Sequence, residues 1–78
     1  MEPNSQYLHI PATDKFLTPG CKVKLGRFST ERWIVRFGWY EVNGNRPVCG
    51  WYFTSFDNLK VVKPVQLPDL NDIYIIEQ

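Results

Sequence analysis

The stretch GWYEVNGNRPVCGWYF, Gly38 to Phe53, constrains the fold more than any other part of the chain. It writes Gly-Trp-Tyr twice, once on each side of Asn43-Gly44. Asn-Gly between alternating segments is the strongest short-range signal for a β-hairpin. Both residues tolerate the positive φ that a tight type I′ turn demands.

The alternation decides how the two strands pair. A plain two-residue turn pairs Val42 with Asn45 and leaves both faces half apolar. A shift of one residue sets Trp39 against Cys49, Phe37 against Trp51, Val35 against Phe53, and Gly38 against Gly50. One face then collects the apolar set, and the other carries Arg32, Arg36, Tyr40, Arg46, Tyr52 and Thr54. Side chains alternate with period two, so burial of one face selects the register that gathers the apolar residues. The extra residue fits a bulge near Pro47, which cannot donate to a ladder, or a three-residue loop with Asn45 left-handed.

In this register Trp39 and Trp51 are expected inward. Tyr40 and Tyr52 are expected outward, on either side of a dent floored by Gly38 and Gly50, with Arg36 opposite Tyr52. Paired glycines also let coiled strands bend. Tyr and Arg carry a disproportionate share of binding energy at interfaces. The candidate binding residues are therefore Arg32, Arg36, Gly38, Tyr40, Gly50 and Tyr52.

Around the hairpin, CKVKLGRF (residues 21–28) alternates as a strand, and ThrProGly at 18–20 is a turn ahead of it. LKVVK (59–63) is a further strand after an Asp57-Asn58 turn. Residues 65–72 read as a connection with one 3₁₀ turn, and IYII (73–76) as the last strand. Residues 1–20, punctuated by Pro3, Pro11 and Pro19, read as an extended N-terminal arm in which YLHI (7–10) docks as a short strand. Residues 21–78 read as the domain. The expected class is all-β: a small five-stranded antiparallel barrel, partly or fully closed. Strand number and spacing from Gly20 to Glu77 resemble the SH3-like barrel architecture. That resemblance implies an architecture and brings no function with it.

A chain of 78 residues makes one domain. Its twelve aromatics are the material for a core at this size. No apolar run approaches the ~20 residues needed to span a bilayer, and the N-terminus lacks the pattern of a secretory signal, so the expected compartment is the cytoplasm. Cys21 and Cys49 are then reduced thiols; a bridge between them is the alternative for a protein that acts outside the cell. Residues 15–63 hold all nine Lys and Arg against three acids, a net of +6, between acidic ends.

Chemistry is sparse. His9 is the one histidine, and no serine carries a nucleophile signature. The cysteines and His9 lack zinc spacing, and no glycine-rich loop opens a helix. The expectation is a non-enzyme with no cofactor and no metal. A protein partner is favoured, bound through the Tyr/Arg face or a strand edge. A nucleic acid is the alternative, with Lys22, Lys24, Arg32, Arg36 and Arg46 set among Tyr40 and Tyr52. Self-association of a structural subunit is a third reading.

Overall fold

The computed structural model describes residues 7–77. Seven strands form in chain order: β1 (Leu8–Ile10), β2 (Lys15–Leu17), β3 (Lys22–Leu25), β4 (Trp33–Tyr40), β5 (Val48–Ser55), β6 (Val62–Pro64) and β7 (Ile73–Glu77). A 3₁₀ turn, Leu67–Asn71, lies between β6 and β7, inside the connection where one is expected. The described residues contain no α-helix, and no helix is long and apolar enough to cross a membrane.

One antiparallel sheet of five strands has the order β6-β5-β4-β3-β7. Four strands follow one another as a meander, and β7 returns beside β3. The ladder does not join β6 to β7, so the sheet is open at both ends.

Of the segment expected as an extended arm, residues 1–6 lie outside the described residues and residues 7–20 are folded. The short strand expected at 7–10 is present as β1. β1 and β2 pair as a second, two-stranded sheet. The loop between them, residues 11–14, turns through Thr13 N–H to the Ile10 carbonyl (3.3 Å), with Asp14 left-handed at φ 55°. Ile10 and Leu17 are 2% and 0% exposed. They pack into one core with Cys21, Val23, Trp33, Val35, Phe53 and Ile73. The reason is hydrophobic: one face of the five-stranded sheet needs a cover, and this hairpin supplies two buried aliphatic side chains.

The β4–β5 register is the shifted one. Trp39 pairs with Cys49, Gly38 with Gly50, Phe37 with Trp51, Arg36 with Tyr52, and Val35 with Phe53. The Asn-Gly turn also forms. Asn43 and Gly44 have φ of 56° and 74°, and Asn45 N–H donates to the Val42 carbonyl (3.0 Å). Val42 therefore faces Asn45 at the tip, while Tyr40 faces Val48 in the ladder. One extra residue lies between, in the Arg46-Pro47 stretch opposite Glu41. Asn45 is not left-handed, which leaves the bulge near Pro47 as the device.

β6 begins later than its pattern suggests. Asn58 organises a turn, its Oδ1 accepting from Lys60 N–H (3.1 Å) and its carbonyl from Val61 N–H (3.0 Å). Leu59 is drawn into that turn and is exposed.

Candidate binding surface

The eight-residue strands β4 and β5 outrun their neighbours. β3 ends its hold on β4 at Val35, where Gly20 N–H donates to the Val35 carbonyl (2.8 Å) and Val35 N–H to the Cys21 carbonyl (2.9 Å). Before Gly20 the chain reverses through the Thr18–Cys21 turn, closed by Cys21 N–H on the Thr18 carbonyl (3.2 Å). On the other side β6 pairs with β5 from Thr54 to Tyr52, and Val65 N–H still reaches the Trp51 carbonyl (3.2 Å). Beyond that point, Phe37–Tyr40 and Val48–Gly50 form a two-stranded ribbon. Among the described residues neither of its outer edges has a backbone partner.

Two-stranded ribbons are marginal in water without a covered face. This one is held by an aromatic pair on each face. Phe37 and Trp51 meet edge to face with centroids 5.0 Å apart. On the opposite face Tyr40 and Tyr52 lie 4.9 Å apart with their planes tilted 35°. Such pairs contribute about 0.5–1.5 kcal/mol each beyond the area they bury.

The core stops before the ribbon begins. Val35 and Phe53 are fully buried, Trp51 is half-buried, Phe37 is 38% exposed and Trp39 is 72% exposed. Trp39 and Trp51 share the core-side face as expected from the register. The expectation that both are buried fails at Trp39, because the elements that cover this face do not extend that far. A side chain on the inward face is buried only where something stands opposite it.

The dent between the tyrosines is narrowed at its Gly50 end. Both rings are half-buried, and they lean together across the Gly38–Gly50 rung. A methyl group built on Gly50 would touch Tyr40 Cε1 at 4.0 Å. Stacking the rings removes apolar surface from water, so Tyr40 comes to rest over Gly50, while the space above Gly38 stays empty.

The cations of this outer face are largely engaged. Lys22 Nζ lies 2.6 Å from Glu77 Oε1, and Arg32 Nη2 lies 3.6 Å from Asp57 Oδ1. Lys22 and Arg32 also sit over one ring, that of Phe56, at 5.6 and 4.3 Å from its centroid. Lys24 Nζ donates to the Arg27 carbonyl (3.0 Å). The hydrogen bond and charge of Lys22 hold the Glu77 carboxyl below its ordinary range. Arg36 is exposed opposite Tyr52, and Arg46 is exposed in the loop before β5.

A cleft of about 370 Å³, open to solvent, lies at the end of β6. Leu8, Tyr40, Trp51, Val65 and Leu70 line it, and the backbone of Gly50 and the side of Gln66 complete its rim. Residue type alone hides this feature, since its walls come from five separate parts of the chain. The exposed ribbon did leave a signal. The turn at Pro19-Gly20 and the proline at the end of β6 bound the two flanking strands, and both are shorter than β4 and β5.

Elsewhere the surface offers little chemistry. His9 Nε2 is 2.8 Å from Asp14 Oδ1 in the exposed β1–β2 hairpin, and the His9 ring stacks near Phe16. Cys21 is buried and Cys49 exposed, and both are free thiols. Among the described residues no three His, Cys, Asp or Glu side chains cluster as metal ligands would. Comparison with family models, with characterised proteins and with solved structures finds no match to this chain.

Proposed function

We propose that this chain is a non-enzymatic protein-binding module that works through the free end of its β4–β5 hairpin. The observation that carries the reading is the uncovered aromatic ribbon, with Trp39 at 72% exposure and Phe37 and Trp51 beside it. A small domain gains nothing in stability from leaving its best apolar material in water. Trp is the residue type most enriched at binding hot spots, and bare strand edges favour a polypeptide partner, which can continue their ladder. The site thus moves from the Tyr40/Tyr52 face to the face behind it.

The nucleic-acid reading has less support. Its stacking tyrosines are spent on each other, and Lys22 and Arg32 have carboxylate partners. Phosphate binding draws on cations whose counter-ions are mobile, and two of the five cations in that reading, Lys22 and Arg32, have a carboxylate counter-ion built into the fold. For the architecture, the SH3-like reading is supported by the order of elements: a four-strand meander, a 3₁₀ turn, and a last strand returning beside the first.

The test starts from capture in a lysate of the native host, with the captured protein identified, purified and titrated. Trp39→Ala is expected to weaken binding at least ten-fold with the fold retained by circular dichroism, and Tyr52→Ala much less. Equal affinities for wild type and Trp39→Ala refute the surface. A micromolar, steeply salt-dependent complex with a plain oligonucleotide refutes the partner class.

A further inference from the structure

Resting on the protein-binding reading above, we propose that the outer edge of β5 accepts an extended peptide strand with acidic flanks, which places one large apolar side chain in the cleft beside Gly50 and Trp51.

Backbone direction is the first reason. Trp51 turns its carbonyl toward β6, and Ser55 turns its N–H the same way, to the Val61 carbonyl (3.2 Å). Odd-numbered residues of β5 therefore face β6, and Cys49 follows them. Its N–H and C=O point out from the edge with no backbone partner among the described residues. Unpaired strand groups are a template for another strand, and only an extended backbone offers a donor and an acceptor at the spacing they require.

Position is the second. β6 leaves β5 at Val65 and enters the 3₁₀ turn, and the cleft opens at that point of departure. A strand laid along Cys49 points its end residue at walls of Leu8, Val65, Trp51 and Leu70. Main-chain bonds there supply affinity, and the apolar pocket supplies choice of side chain.

The other edges are poorer templates. β7 carries a register shift against β3, where Ile76 is the extra residue, and Lys22 and Glu77 bridge its end. Bulges and charges of this kind blunt an edge. β6 ends on Pro64, which has no N–H to give. A second copy of the chain fits the β5 edge badly. Only Val48–Gly50 is bare, and antiparallel self-pairing would soon drive each β5 into the other's β6. A short peptide has no such neighbour.

Charge completes the description. Arg46 precedes β5 and Lys63 lies opposite Phe53 on β6, so a cation stands toward each end of the bare edge. Among the described residues neither is in an ion pair. Glu41 lies across the hairpin loop and offsets part of Arg46. Acidic residues on both sides of the apolar anchor match this layout.

The probe is a displayed library of random dodecapeptides, selected on the intact chain. Expected winners alternate β-branched residues, carry Asp or Glu at both ends, and hold one Leu, Ile or Phe between them. A synthetic winner should lose about five-fold or more in affinity when the amide that pairs with the Cys49 carbonyl is N-methylated, the loss of one hydrogen bond. Cys49→Pro should lose a similar factor, and no internal bond goes with its N–H. Binding should also slow exchange of the Cys49 amide at least ten-fold. Because the N-methyl change is made in the peptide, it reads out even if Cys49→Pro misfolds. No enrichment, or enrichment of helical or proline-rich sequences, overturns the proposal. So does dimerisation through this edge in sedimentation. Winners that need Trp39 but ignore both the N-methyl group and Cys49→Pro leave the protein-binding reading standing and remove strand addition.

Discussion

Gly38 and Gly50 occupy one rung of the β4–β5 ladder with different backbones. Gly38 has φ +150°, in a region that side-chain-bearing residues rarely adopt, although a Cβ there would meet nothing within 4 Å. Gly50 is free of that constraint, and its Cβ would rest against Tyr40 in ordinary contact. Gly38→Ala should therefore cost about 1–3 kcal/mol through backbone strain alone. Gly50→Ala should be neutral or gain up to about 1 kcal/mol, by removing freedom from the unfolded chain and adding contact to the Tyr40 ring. Urea titrations of the two variants check this, and equal losses would mean that the Tyr40 ring, not φ, is the limiting feature. The sequence shows the glycines as a symmetric pair. Their difference arises from how the ribbon coils, which no residue identity encodes.

At the level of elements, β4 and β5 each carry two environments along one face. Phe53→Ala empties a fully buried site and should cost about 3–5 kcal/mol. Trp39→Ala removes a side chain that is mostly in water, and should cost about 1 kcal/mol or less. By alternation alone both positions read as core, so thermal melts of the pair separate strand pattern from strand cover. A large loss at Trp39 would place the ribbon inside the fold and remove the candidate surface. The register itself was legible, because a one-residue slip would have mixed the faces at every rung. Where cover ends was legible only in part. The Pro19-Gly20 turn and Pro64 bound the flanking strands, but what stands opposite the inward face includes the β1–β2 hairpin, whose reach the β4–β5 pattern does not contain.

For the whole molecule, the β1–β2 hairpin is part of the core. Leu17 is fully buried among residues from β3, β4, β5 and β7. Leu17→Ala should cost about 2–5 kcal/mol. Domains this small have little stability to spare, so a chain begun at Thr18 should be largely unfolded at 25 °C. Circular dichroism of that truncation checks it; a cooperative melt equal to the full chain would make residues 7–17 an appendage after all. Composition pointed elsewhere, since three prolines and no clear period read as an arm. The strand at residues 7–10 was legible in YLHI; its partner Lys15–Leu17 is too brief a signal to separate from chance.

The sequence by itself determined the all-β class, the Asn43-Gly44 turn, the β4–β5 register and the 3₁₀ step before the last strand. Each rests on local rules: which residues accept positive φ, which lack an N–H, and which side of a strand a residue must face. Only the tertiary structure decided that Trp39 lies in water, that Tyr40 leans over Gly50 toward Tyr52, and that Leu8, Trp51, Val65 and Leu70 share a cleft. Burial belongs to pairs of surfaces. A strand's pattern states which face can be covered, and the lengths and paths of its neighbours state how much of that face is.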